Sequence, residues 1–252
     1  MIAEPGMACP LDGEIATPPL TAADIHVWTI GLSDAIPAPP EATAMLDEGE
    51  RTRAASFVFE RDRALFIRRR SALRRILGGY LGLSPADVVL RSGAHGKPAL
   101  GLSQERSGLH FNVSNSAGVA LCAVTRSGPI GVDVEQIRPM ADLDGVAGLV
   151  LGPAERAVFD AREGAEKLAL FHAAWTRKEA YLKERGEGLM RSPTLIEFGA
   201  LLGRPEEPIR DADDPGAGQF WRIWAWHPMP GYSAALVAKP AAAPLMHRRF
   251  SA

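Results

Sequence analysis

Residues 130–135 read Ile-Gly-Val-Asp-Val-Glu. β-Branched residues alternate here with small or acidic ones at a period of two, which predicts a strand. Ile130, Val132 and Val134 then share a core-facing side. Asp133 and Glu135 share the other, about 7 Å apart along the backbone. Two carboxylates side by side repel unless a cation stands between them, and a hard divalent ion held by oxygens answers that need. A solvated strand face with two incidental acids is the other reading.

Downstream, residues 153–185 carry a helical pattern that Pro153 opens as an N1 proline and that Gly186 and Gly188 close. Within it, Phe171, Trp175, Lys178 and Leu182 fall on one stripe, and His172, Thr176, Glu179 and Lys183 on the next. Glu179 and Lys183 are one turn apart with the acid first, the order of an i,i+4 ion pair. Two strands, Phe220–Trp226 and Tyr232–Ala238, follow around the Pro228–Gly231 turn.

Upstream, short strands are predicted at 88–90, 109–113 and 119–124, and a further one at 25–30. The turns between them hold Gly96-Lys97-Pro98 and Ser114-Asn115-Ser116. A lysine in a Gly/Pro turn is expected to face solvent as a point charge suited to phosphate, although Gly, Pro, Asn and Ser are also ordinary turn residues. From Met45 to Leu83 the pattern is helical, with Phe66, Leu73, Leu77 and Tyr80 on one stripe. Nine arginines lie between Arg51 and Arg75 against two acids, Glu60 and Asp62. This is either a solvated helix face or a site for a polyanion. Strands and helices in this order predict an α+β fold of two similar halves.

The chain has 252 residues with a net charge of −2, so it attracts neither nucleic acid nor membrane by bulk charge. No apolar run is long enough to span a bilayer, and the N-terminus lacks a basic start followed by an apolar core, so a cytoplasmic protein is expected. The two cysteines, Cys9 and Cys122, are in no metal-ligand spacing, and Cys122 reads as a core residue. The Pro/Gly/Ala-rich start is expected to be an unstructured leader.

Taken in order, GKP at 96–98, FNVSNS at 111–116, GVDVE at 131–135 and FHAAWTRKEAYLKERGEGL at 171–189 resemble the larger, Sfp-like type of the 4′-phosphopantetheinyl transferase superfamily. The arginine-rich segment 57–77 is similar to that family's first helix. The resemblance covers about residues 25–238. It implies two pseudo-symmetric halves, each an antiparallel sheet packed with a long helix, meeting near 126–129. The division would be a leader at 1–20, halves at 21–127 and 128–240, and a tail at 241–252.

It further implies that the phosphopantetheine arm of coenzyme A moves to a serine of an apo acyl or peptidyl carrier, with Mg²⁺ bound and 3′,5′-ADP released, by a monomer. Residue by residue, Asp133, Glu135 and Glu179 match the magnesium carboxylates, with Glu179 also the candidate base. Lys183 matches a lysine that contacts the phosphates and acts on the leaving group. Lys97, Pro98 and Ser114 match nucleotide- and phosphate-binding positions, and Arg51 and Arg53 are the candidates for the 3′-phosphate. Asn115 stands where the family's motif continues with a histidine that binds phosphate. It can donate a hydrogen bond but carries no charge, so weaker coenzyme A binding or a different local geometry is expected, rather than loss of activity. A non-catalytic member that only binds coenzyme A or a carrier is the alternative.

Overall fold

A computed structural model describes residues 17–32, 36–93, 96–188, 191–202, 209–239 and 245–251. Cys9, His95 and most of the leader lie outside these. The first elements are β1 (Ile25–Gly31), α1 (Pro40–Ala44), α2 (Glu48–Ala55) and α3 (Glu60–Leu81). There follow β2 (Leu90–Ser92), β3 (Pro98–Leu100), α4 (Leu102–Glu105), β4 (His110–Ser116), β5 (Val119–Thr125) and β6 (Ile130–Gln136). Next are α5 (Leu143–Val150), α6 (Pro153–Asp160), α7 (Gly164–Arg185), β7 (Ile196–Glu197) and β8 (Arg210–Asp211). The chain closes with α8 (Ala217–Phe220), β9 (Arg222–Trp226), β10 (Tyr232–Ala238) and β11 (Leu245–Ser251).

The fold is α+β, in four layers. One sheet has the order β11-β1-β5-β4 and the other β6-β10-β9. On the outer face of the first sheet, Leu73, Ile76, Leu77 and Tyr80 of α3 pack on Trp28, Ile30, Phe111, Cys122 and Val124. Between the sheets, Ile25, Val27, Leu121 and Ala123 meet Val132, Val134, Ala234 and Leu236. On the outer face of the second sheet, Ala235 and Val237 meet Tyr181 and Leu182 of α7. This explains why β5 is buried along its whole length and apolar up to Thr125: it has protein on both faces. The expected inward set Ile130, Val132 and Val134 lies in the inter-sheet layer, and Cys122 is a free, buried thiol.

Several expectations need correction. The helix read over 45–83 is two helices. Asp47 and Glu50 form a capping box that starts α2, and the Ser56 hydroxyl donates to the Arg53 carbonyl as it ends. The arginines are therefore divided between α2 and α3, and Phe66 packs with Leu46 and Ala54 rather than with Leu77. The helix read over 153–185 is likewise broken, and α7 begins at Gly164, whose φ of 51° only glycine adopts readily. The first sheet is antiparallel except for β11, a segment read from sequence as tail, which returns from the second sheet to pair in parallel with β1.

Gly131 marks the closest approach of sheet to helix. A Cβ there would fall well inside contact distance of the Ala180 carbonyl oxygen and the Glu184 amide, both backbone atoms of α7. Gly131→Ala is therefore expected to destabilise the fold by about 3 kcal/mol, the upper range for overpacking. Urea denaturation checks this, and a loss below about 1 kcal/mol would mean that α7 yields freely.

Candidate functional site

Three side chains of β4 reach the edge of β6. Asn112, Ser114 and Ser116 alternate onto one face of β4, as Asp133 and Glu135 do on β6. The Val132 amide donates to Asn112 Oδ1 at 2.8 Å. The Ser114 hydroxyl donates to Asp133 Oδ1 and the Ser116 hydroxyl to Glu135 Oε2, each at 2.7 Å. The Gln136 amide closes the series onto Ser116 Oγ at 3.1 Å. Ser116, read from sequence with Ser114 and Asn115 as a turn residue, is not among the candidate site residues; it lies in β4, and its i,i+2 spacing from Ser114 mirrors that of the two acids.

The third wall is α7. The i,i+4 pair expected between Glu179 and Lys183 does not form: Lys183 Nζ donates to Asp133 Oδ1 at 2.6 Å and to Ser114 Oγ at 3.1 Å. Burial pushes the carboxyl of Asp133, 2% exposed, above its ordinary pKa, with Lys183 and Ser114 opposing that rise. Glu179 is also raised, first by burial and further by the charges of Asp133 and Glu135. Among the described residues, Asp133 Oδ2 and Glu179 Oε1 are both buried and without a hydrogen-bond partner. Protein interiors rarely leave carboxylate oxygens this way.

These oxygens are the donor type that a hard divalent cation selects. Among the described residues no three His, Cys, Asp or Glu side chains are already gathered as a metal cluster. The Lys183 ammonium is the positive charge that Asp133 holds here.

Lys97 does not face solvent as its turn suggested. It is half-buried, and Nζ donates to the Lys183 carbonyl at 2.8 Å and the Ile130 carbonyl at 3.4 Å. Burial lowers its pKa. The reason is the helix end: the Lys183 carbonyl in the last turn of α7 accepts only a long bond from the Gly186 amide, at 3.3 Å, and has a second lone pair for Lys97, while Gly131 lets β6 approach it. Lys97 thereby ties the hairpin of β2 and β3 to the turn that carries Lys183.

Two cavities flank the adjoining Pro98. One, of about 180 Å³, is lined by Arg69, Arg70, Leu73, Pro98, Ser114 and Asn115, among others. Strand alternation sets Asn115 on the α3 side of β4, away from the carboxylates. The other cavity, of about 360 Å³, is bordered by Arg91, Lys97, Pro98, His110, Phe111 and Gly186. Arg51 and Arg53 line neither. The Arg51 guanidinium donates to the Leu46 carbonyl, and that of Arg53 lies 5.3 Å from the Phe57 ring centroid. Arg74 is fully buried, bonded to Asp47, Glu50 and the carbonyls of Pro85 and Val88. Its role is to tie α2 to α3. In sequence nothing separates these arginines, because a charge run does not show which members face a cavity.

Two family models match the chain in succession. Residues 39–126 match the N-terminal part of 4′-phosphopantetheinyl transferase, and residues 129–237 match the 4′-phosphopantetheinyl transferase superfamily. The chain is 38% identical over 191 residues to the 4′-phosphopantetheinyl transferase HetI of Nostoc, covering 76% of this chain and 79% of that protein. It is 32% identical to a protein named as a putative 4′-phosphopantetheinyl transferase in Synechocystis, covering 74% of each. With Sfp of Bacillus subtilis it shares 27% identity over 77% of this chain and 87% of the relative.

Proposed function

The chain belongs to the 4′-phosphopantetheinyl transferase superfamily and transfers phosphopantetheine to carrier proteins, and from that premise we propose that it draws the group from coenzyme A in a magnesium-dependent displacement at Asp133, Glu135, Glu179 and Lys183. The observation that carries this reading is the pair of buried, unpartnered oxygens on Asp133 and Glu179 beside the Lys183 ammonium.

Asp133, Glu135 and Glu179 would hold Mg²⁺. Bound there, the ion would offset charge on the diphosphate under attack. Lys183 keeps a proton free after its two hydrogen bonds and is partly exposed, so it can reach a phosphate oxygen and steady the departing 3′,5′-ADP. A serine hydroxyl needs a base at neutral pH. Glu179 has a raised affinity for protons and a free buried oxygen, which suits it to take the serine proton. Ser114 and Ser116 hold Asp133 and Glu135 in place.

For the 3′-phosphate, Arg69 and Arg70 are better placed than Arg51 and Arg53, since they share a cavity with Pro98, Ser114 and Asn115. Asn115 would donate to the nucleotide phosphates there. The loss of a histidine charge then weakens coenzyme A binding and leaves the carboxylates intact, which favours catalysis over a binding-only role. Incubation with coenzyme A, Mg²⁺ and an apo carrier tests the reading: the carrier should gain the mass of one phosphopantetheine. No gain on any carrier of a broad panel would overturn it.

Magnesium alone should leave a thermal signature. Metal binds the deprotonated carboxylates, so millimolar Mg²⁺ is expected to raise Tm at pH 7.5 and to do little at pH 5. Without the ion the sign reverses. Folding raises the pKa of Asp133 and Glu179, so the folded state holds their protons more tightly than the unfolded one. Their contribution to stability is then lost as pH rises from the ordinary carboxylate range through the raised values. Melting curves across pH, with and without Mg²⁺, check both signs. An equal Mg²⁺ effect at the two pH values would refute the assignment.

A further inference from the structure

We infer that Thr176 and Ser233 are positioning residues for the transfer: their paired hydroxyls fix the register of α7 on the second sheet, and through it where Glu179 stands relative to Asp133 and Glu135. This rests on the transferase reading above.

The pair lies directly under the carboxylates. On β10, Ala235 and Val237 meet α7, and Ser233 shares their face by strand alternation. In the antiparallel register Ser233 stands beside Glu135 of β6, and Ala235 beside Asp133. From Ala234 to Ala238 the strand is aliphatic and buried, so a serine at 233, itself 4% exposed, is out of pattern. Its partner Thr176 is fully buried on α7. It precedes Glu179 by one turn, on the stripe that also carries Lys183.

The two hydroxyl oxygens are 3.2 Å apart. Counting donors gives the direction of the bond. Thr176 spends its proton within its own helix, on the His172 carbonyl at 2.9 Å and less closely on that of Ala173 at 3.3 Å. Ser233 therefore donates to Thr176 Oγ1.

Small apolar residues, Ala180 on α7 and Ala235 on β10, let the helix lie close to the sheet. Contact between such side chains resists sliding weakly, whereas a hydrogen bond has a preferred distance and angle. The end of α7 is held by the close approach at Gly131 and by the bond from Lys97 to the Lys183 carbonyl. The Thr176–Ser233 bond holds it earlier along its length, and Glu179 lies between these two ties. Asp133 and Glu135 each accept from a serine of β4. Among the described residues Glu179 Oε1 accepts from none, so the helix sets where that oxygen stands.

Steady-state kinetics of the full chain with coenzyme A and an apo carrier test this. Thr176→Val keeps the shape and removes the hydroxyl, and Ser233→Ala removes its partner. Each is expected to lower kcat roughly tenfold, between the effect of one hydrogen bond and that of a misplacement of about 1 Å. KM for coenzyme A and for the carrier should hold. The Mg²⁺ concentration that half-completes the rise in Tm should increase severalfold, which a loss of packing alone would not cause. Thr176→Ser should restore both. Since the two hydroxyls act as one bond, the double variant should be no slower than either single. It also leaves neither hydroxyl buried without its partner, so it decides the matter if a single variant folds poorly. Parent values of kcat and of the Mg²⁺ response in the double variant overturn the inference and leave the transferase reading standing. So does an effect confined to Tm or to KM, or a pair of losses that multiply. Failure of the parent protein to modify any carrier overturns both.

Discussion

A purified Asp133→Asn variant is expected to fold like its parent and to transfer the phosphopantetheine arm at least about 10³-fold more slowly. The side chains have the same size, and the asparagine oxygen can still accept from Ser114 and Lys183, the two partners of Asp133 Oδ1. The charge on Asp133 does not serve stability, since burial drives its carboxyl toward the neutral form. Removing it should therefore leave the urea midpoint within experimental scatter, or slightly raised, and abolish the Mg²⁺-dependent shift in Tm. Lys183 is partly exposed and stays hydrated without its partner. The decisive measurement is single-turnover transfer to an apo carrier at saturating coenzyme A. A rate near that of the parent would remove Asp133 from the mechanism.

Lys178→Met is expected to cost about 3–5 kcal/mol of stability, the range for leaving one member of a buried ion pair alone. Lys178 and Glu155 are both fully buried, with Nζ 2.6 Å from Oε2. Nζ also donates to the carbonyls of Pro193 and Ile196. Glu155 accepts from the amides of Gly152 at 3.2 Å and Phe198 at 3.0 Å. Burial pushes the lysine pKa down and the glutamate pKa up, each toward neutrality, and the partner's charge opposes this. The pair joins the start of α6, the middle of α7 and the segment 193–198. With methionine at 178, Glu155 loses the cation it is paired with in the core. The double variant Lys178→Met, Glu155→Gln should recover much of the loss, because no charge is then buried. Chemical denaturation of the single and double variants gives the coupling energy directly. If the single substitutions cost less than about 1 kcal/mol each, water reaches the pair and the burial described above is wrong.

Much of the site is legible in the amino-acid sequence. The alternation at 130–135 puts Asp133 and Glu135 on one face, and the helical spacing puts Glu179 and Lys183 on one stripe. Both assignments need only local geometry, a period of 2 or 3.6. The ordered motifs point to the family, and composition points to an ordinary globular chain. Contact between elements is not legible in this way. Lys183 turns from Glu179, one turn away, to Asp133, 50 residues earlier. Lys97 turns inward to a carbonyl 86 residues later. Arg69 and Arg70 line a cavity that Arg74 does not reach, although Arg70 and Arg74 both pair with Glu50.

Sequence alone determined the period of the strand at 130–136 and of the helix around 171–185, and with it which side chains share a face, because backbone periodicity is a property of the segment itself; the breaks at 56–59 and 161–163 and the strand at 245–251 were not legible there. Tertiary structure decided which polar faces meet, because that depends on how four layers stack. A glycine at 131 lets β6 lie against α7, and three polar side chains at 112, 114 and 116 seal its open edge. Desolvation follows only from that stacking, so the raised proton affinities of Asp133 and Glu179, and with them the chemistry proposed for them, belong to the assembled protein.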